Sequence, residues 1–467
     1  MTALLSLLAV TVRSLMGVYL GVIGFFVLWL VASVLARDIE YDAVVSLLDP
    51  FGTRAIERTM RYWSAIESNA QLPELSGYLL SNRVLWLAVS IVLLTLTFVL
   101  FKPQRLRGSK RARARQKKQP IAAKAQAGLA TAPVAMPPRT FTVATTLGQF
   151  WHQLRFDTSG VLKSVPFLVL LAFGVLNLGA GSTALDQLFG TKVLPVTSTM
   201  LRLVEGSYLF LLILIVGFYA GELVWRERTA KLAELTDTLP VPNWLPILTK
   251  IGTLIAVVVI FMLLGALVSI CVQLLRGYTN LEPGLYLRGL LVQSMPFMLM
   301  AVAAVALQVI SNNKVVGYLL YVILIVMQIA LPPLHLEHNL YRFSGAPDTP
   351  YYDMNGFGHF IAGWAWFQAY WALFAAMLVV VAAAFWVRGV APSWRGRLRM
   401  ARNNLKGAPA ALLAAFALAF IGVGGWIYYN TNVLNEYLPS DVAFDRLAHY
   451  EREYRKLKDV PQPRIVD

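Results

Sequence analysis

Apolar residues in this chain neither alternate with polar ones at the two-residue period of a strand nor recur along one side of a helix; they run together. Nearly charge-free stretches cover residues 15–36, 84–101, 164–181, 206–225, 251–275, 287–311, 315–334, 363–387 and 410–428. A helix needs roughly 20 apolar residues to cross a bilayer, so each stretch is long enough to be a span. The clearest is 251–275, with no carboxylate, amine or guanidinium between Lys250 and Arg276. The pattern predicts an all-α, polytopic membrane protein of about nine transmembrane helices. An outer-membrane barrel would instead show strands of about ten residues with alternating polarity, which these runs exclude. The start of the chain reads as a span rather than a signal peptide, because its apolar run is too long and lacks a polar cleavage region.

Composition agrees, with 57% hydrophobic and 14% charged residues. The net charge of +16 changes the picture only through its placement. Its densest part, residues 102–118, lies beside a span and belongs in the cytoplasm by the positive-inside rule. Alternation then places 226–250 and the basic loop 388–406 inside, and 37–82, 182–205, 276–286 and 335–362 outside. The N-terminus is expected inside and the C-terminus outside. The basic tract thus reads as a topology signal that touches anionic membrane lipid, not as a nucleic-acid site. Cys271 is the single cysteine, so neither an intrachain disulfide nor a thiolate metal cluster can be built.

The expected organisation is two transmembrane helices over 1–101, a partial first permease unit, and the basic tract with an Ala/Pro linker over 102–140. A six-helix unit follows over 141–388, then a basic loop and an extra span over 389–428, and an external amphipathic tail over 429–467. The order of span, external segment, span and basic tract occurs at 15–118 and again at 315–406, an internal echo that supports this division.

Three elements could carry mechanism. Leu147, Phe150, Trp151, Leu154 and Val161 fall on one helical face with Gln149, Gln153 and Arg155 turned away. They predict either an interfacial helix on the cytoplasmic surface or a helix packed on its own bundle. Over residues 226–239, Leu232, Leu235 and Leu239 form an apolar stripe among Arg226, Glu227, Arg228, Lys231, Glu234 and Asp237, and Pro240 and Pro242 then stop the helix. This predicts a short, stiff cytoplasmic helix, either docked in the groove of a motor subunit or solvated. Glu222 lies at the inner membrane boundary, where a carboxylate wants a partner, and Arg226 one turn later is the simplest one. In the tail, Ser440 is expected to cap a helix with Phe444, Leu447, Tyr454 and Leu457 on one face. That face either meets a partner or folds back on the bundle.

Catalytic signals are missing. No phosphate loop occurs, so ATP-driven work requires another polypeptide, and there is no nucleophile elbow or zinc-protease motif. His335, Glu337, His338 and His359 gather near Asp348 and Asp353 in one external segment, but their spacing fits no metal motif, and ordinary loop hydrogen bonding is the expectation. A secondary transporter is disfavoured by the scarcity of acids within the spans.

From 141 to 388, an interfacial helix, two spans, a charged helix and four further spans with an external segment before the last resemble a type 2 ABC exporter permease. Gly221-Glu-Leu-Val-Trp-Arg-Glu-Arg228 and Leu239-Pro-Val-Pro-Asn-Trp244 occupy the position of that family's coupling helix. Phe156-Asp-Thr-Ser-Gly160, Glu337-His-Asn-Leu-Tyr-Arg342, Asp353-Met-Asn-Gly-Phe-Gly-His359 and Tyr429-Asn-Thr-Asn-Val-Leu-Asn435 resemble bacterial permeases fused to an aminopeptidase N-like domain. The resemblance implies a transmembrane exporter subunit in the bacterial cytoplasmic (inner) membrane, worked by a separate ABC ATPase that holds ATP and Mg, with no cofactor of its own. It implies as further partners a second permease unit or an external peptidase domain, and suggests that four upstream spans and the peptidase are missing. No zinc ligand or catalytic glutamate is carried over. The rival reading is a membrane anchor or regulatory module for an external aminopeptidase-like domain, without transport.

Overall fold

The computed structural model describes residues 1–12, 15–35, 42–101, 142–185, 193–389 and 393–460. The basic tract 102–118, the linker up to 140 and the last seven residues lie outside them. The described residues form helices and no strand, so the chain is an all-α polytopic membrane protein. Seven helices among the described residues are long and apolar enough to cross a membrane. Helix Leu15–Leu35 matches the first expected span at 21 residues, whereas the seventh is shorter, Lys314–Ala330. At 1.5 Å per residue, 17 residues reach about 25 Å, a little less than the roughly 30 Å hydrocarbon layer.

The chain divides into two compact units. The first, residues 1–145 with 179–191, contains α1 (Thr2–Val12), α2 (Leu15–Leu35), α3 (Asp42–Leu48), α4 (Thr53–Thr59), α5 (Ala65–Ala70) and α6 (Gly77–Leu100). The expected external segment is thus folded. Asn82, fully buried, donates from Nδ2 to the carbonyls of Ser46, Leu47 and Asp49, which end α3 and have no helical donor. The Asp49 carboxylate accepts from Trp29 Nε1, Thr53 Oγ1 and the Phe51 and Arg54 amides, and so starts α4. Gly52 between them has φ 71°, and a Cβ there would overlap the Arg83 guanidinium.

The second unit, residues 146–178 with 192–467, takes in α7 (Val143–Leu162) from its second turn onward and most of α8 (Val165–Ala184). It continues with α9 (Thr197–Thr229), α10 (Ala233–Asp237), α11 (Trp244–Leu275), α12 (Pro283–Ser311) and α13 (Lys314–Ala330). It ends with α14 (Phe360–Phe385), α15 (Trp394–Asn404), α16 (Ala408–Tyr428) and α17 (Ser440–Tyr454). Helix α9 is central, packing on α11, α12 and α13, while α12 packs on α14 and α14 on α16. The burial follows this order: 56% of the apolar window of α9 and 61% of that of α12 are buried, against 6% for the helix that begins with α16.

Lipid is as apolar as leucine, so close packing rather than the hydrophobic effect must hold such helices together. Glycines permit it. The Tyr208 ring of α9 lies between Gly174 of α8 and Gly265 of α11, where added Cβ atoms would stand 3.1 and 2.9 Å from the ring. On the other side of α9, Gly217 and Gly221 receive the rings of Tyr321 and Tyr318 from α13. Tyr321 also donates its hydroxyl to the Ile213 carbonyl at 3.0 Å.

Candidate functional site

The expected lever over 226–239 is not one helix. Helix α9 continues through Arg226, Glu227 and Arg228 and stops at Thr229, with Lys231 in the left-handed region at φ 58°. The Lys231 amide bonds the Arg228 carbonyl at 3.1 Å and the Leu232 amide the Glu227 carbonyl at 2.9 Å, a Schellman ending. Glycine normally fills that left-handed position, and its absence is why periodicity alone runs the helix on. A separate five-residue helix, α10, follows, and α11 begins at Trp244.

The break divides the charged residues into two groups. Arg226, Glu227 and Arg228 turn into the protein. Arg226 donates to the buried Asp157 of α7 at 2.6 Å, and Glu227 accepts from Lys250 of α11, whose side chain is 1% exposed, at 2.9 Å. Arg228 donates to Asn312 Oδ1 at 2.7 Å and to the Val387 carbonyl at 3.2 Å. Burial is the largest influence on Asp157 and raises its carboxyl above the ordinary range, against the pull of Lys250 and Arg226. Glu222 is paired with Lys314 Nζ at 2.5 Å and not with Arg226, the partner expected from one-turn spacing. Glu222, Arg226, Glu227 and Arg228 thus tie this end of α9 to α7, α11, α13 and the residues that follow α12 and α14.

Lys231, Leu232, Glu234, Leu235 and Leu239 form the second group. Leu232, Leu235 and Leu239 are 49%, 69% and 54% exposed. The loop beneath them is nevertheless pinned. Asp237 accepts from the Gly389 amide at 2.7 Å, and the Arg388 guanidinium donates to the Leu239 and Val241 carbonyls. A cavity of about 240 Å³ lies below, lined among others by Gln153, Glu227, Arg228, Gln308 and Arg388. At its edge, Trp225 Nε1 donates to Gln308 Oε1 at 2.9 Å.

Helix α15 locks this end from another side. Arg397, 3% exposed, donates to the Val309 and Ile310 carbonyls at 3.0 Å each and so caps the last turn of α12. Burial, with the nearby Arg228 charge, pushes its guanidinium below the ordinary value. Arg395, Arg399 and Arg402 of the same helix are exposed.

The stripe on α7 divides between its two expected fates. Phe150 and Leu154 reach Gly252 of α11, where a Cβ would stand 3.7 and 3.1 Å from them, and Val161 is buried. Leu147 and Trp151 are 60% and 65% exposed, and Arg155 is exposed. Gln153 is not turned away but half-buried at the cavity. The packed face is therefore displaced from the apolar stripe toward Gln153 and the buried Asp157.

The histidines do not converge. His335 Nδ1 is 3.5 Å from Asp441, and Glu337 accepts from the Ser440 amide and hydroxyl. His338 is bonded to Thr431, and His359 stacks on Phe360. Among the described residues, no three His, Cys, Asp or Glu gather into a metal set. Ser440 consequently does not cap α17: its hydroxyl is taken by Glu337, and Pro439 holds the cap position. Helix α17 buries no residue, with Phe444, Leu447 and Tyr454 exposed and Leu457 exposed in the turn after it.

Asp157, Lys250, Lys314 and Arg397 escape helical spacing rules because their partners are 23 to 92 residues away. For Lys250 and Lys314, a cation bordering an apolar run was the available signal, whereas Asp157 and Arg397 carried none. No curated protein and no solved structure matches the chain. Residues 161–328, which run from the end of α7 nearly to the end of α13 and include the whole charged end of α9, match the model of the ABC-2 family transporter protein, and this supports an ABC-2-type permease, the multi-pass membrane component of an ABC transporter.

Proposed function

We propose that the chain is the transmembrane permease of an ATP-driven exporter in the bacterial cytoplasmic membrane, coupled to a separate ABC ATPase through the loop 230–243. This deepens the family match, which speaks for an ABC transporter membrane component. The carrying observation is the contrast within that loop. Leu232, Leu235 and Leu239 face outward with Lys231 and Glu234 beside them, while Arg388 and the Gly389 amide fix the backbone beneath. Apolar side chains held on an anchored loop suit insertion into a groove, and force applied there passes directly into α9 and α11. The chain itself binds no nucleotide and acts as no enzyme on this reading, with ATP and Mg held by the partner.

The test uses a Cys271→Ser background, since Cys271 is the sole cysteine, with Leu235→Cys as the probe position. A membrane-impermeant maleimide should label it in inside-out vesicles and not in intact cells. The assembled ATPase should protect it. Labelling from outside intact cells would overturn both the docking site and the topology. The second reading, an anchor for an external aminopeptidase-like domain, is favoured by the exposed Phe444, Leu447 and Tyr450 of α17, which suit a neighbouring domain.

A further inference from the structure

Far from the charged end, a second cavity of about 660 Å³ opens between α9, α12, the start of α14 and the segment 344–357. Its volume is that of small-molecule sites, roughly 300–1,000 Å³. We propose that it binds an amphipathic organic cation. This rests on the exporter reading only in making that cation the cargo.

Two carboxylates stand on its wall. Glu205 of α9 and Asp348 of the segment both line it, and among the described residues neither carboxylate has an ion-pair partner. Arg202 is the opposing cation, and it donates to Thr199 at 3.2 Å. Gln368, 3% exposed, turns Nε2 toward the Ser344 carbonyl at 3.5 Å, and its Oε1 has no partner among the described residues. Gln293 gives Nε2 to the Leu201 carbonyl at 3.2 Å and, at 3.4 Å, to Glu205 Oε2, whose charge it leaves uncompensated, and its Oε1 is likewise buried without a partner there. Pro296 inside α12 has no amide to offer the Val292 carbonyl, and both residues line the same space. Buried acceptors without donors are costly, and a ligand bearing N–H groups satisfies them.

Charge and shape point the same way. Two carboxylates around one space repel each other, and a cation between them removes that repulsion. Tyr351, Phe357 and Trp364 complete the wall, the first two edge to face at 5.4 Å. Aromatic faces attract organic cations through the ring quadrupole and accept their apolar parts. An anionic ligand would have Arg202 alone to meet it, against two negative groups.

The experiment titrates the full chain, in nanodiscs of phosphatidylcholine, with ethidium as cationic probe and fluorescein as anionic probe, read by fluorescence anisotropy. Ethidium should bind saturably. Glu205→Gln and Asp348→Asn should each weaken it about tenfold, Gln368→Leu by a smaller factor, and Arg202→Gln should tighten it. Unchanged size-exclusion profiles and melting temperatures establish that each variant is folded. Absence of saturable ethidium binding, wild-type affinity in the Glu205→Gln/Asp348→Asn double variant, tighter binding of fluorescein, or weaker ethidium binding by Arg202→Gln would each overturn the assignment. None of these titrations involves an ATPase, so the site can stand where the coupling proposal fails, and the reverse.

Discussion

Arg226 donates through Nη1 to Asp157 across 2.6 Å, joining α9 to α7 over 69 residues of chain. The carboxylate is 3% exposed and the guanidinium 38%, so solvent screens one partner only. Asp157→Ala leaves Arg226 without its anion in a partly buried position. The expected loss is about 1–3 kcal/mol, smaller than for a fully enclosed pair. Asp157→Asn, which still accepts a hydrogen bond and carries no buried charge, should lose less. Thermal unfolding in detergent checks both, and equal losses would remove the ion pair from the account.

Lys231 holds a left-handed conformation for which glycine is better suited, so Lys231→Gly should leave the fold intact and stabilise it by about 1 kcal/mol or less. Lys231→Pro should be far worse, since its φ cannot reach 58° and the amide that bonds Arg228 is lost. A lower melting temperature for the glycine variant would contradict the Schellman ending.

Arg397→Met keeps an unbranched apolar side chain and removes the cap on Val309 and Ile310. Two carbonyls then lose charge-assisted donors, a cost of about 1–3 kcal/mol that outweighs relief from burying a cation. Arg397→Lys should recover half or less, because an ammonium cannot fork to two adjacent carbonyls. Faster amide exchange confined to the end of α12 and the 312–314 turn is the expected signature.

His338 supplies a pH dependence. Burial lowers its imidazole below the ordinary 6.5, against the opposing effect of a hydrogen bond to Asn432. The Leu340 amide donates to Nδ1 at 3.1 Å, so in the neutral ring Nε2 carries the proton and donates to Thr431. Protonation would set an N–H against the Leu340 N–H. The unfolded state binds this proton more readily, so its stabilising contribution is complete above pH 6.5 and declines as pH falls toward the lower folded value. Exchange of the Leu340 amide should accelerate in that window, and in His338→Gln the acceleration should vanish.

The spans were legible because lipid imposes a length and an apolarity that a chain cannot disguise, and the observed helices overlap every expected stretch. Helix ends were less so. Residues 197–205 and 226–229 extend α9 beyond its apolar part, since Glu222, Arg226 and Glu227 are neutralised by Lys314, Asp157 and Lys250 and need not leave the helix. Leu232, Leu235 and Leu239 are exposed, but not as the stripe of one helix, since the helix expected through them breaks at Lys231. The buried half of the charged site could not be read from spacing, because pairings such as Glu222 with Lys314 depend on which helices are neighbours, and local period carries no information on that.

Tyr208, wedged between Gly174 and Gly265 with Phe261 4.7 Å away, has a kinematic consequence. Sliding α8 or α11 along α9 would drive a backbone into the ring, and the glycine clefts leave it nowhere to rotate. These three helices therefore resist sliding past one another, and the Tyr321 and Tyr318 rings seated at Gly217 and Gly221 hold α13 to α9 in the same way. On the exporter reading, a change of membrane conformation would fall instead at the contacts of this group with α12, where Pro296 interrupts the ladder of helical hydrogen bonds.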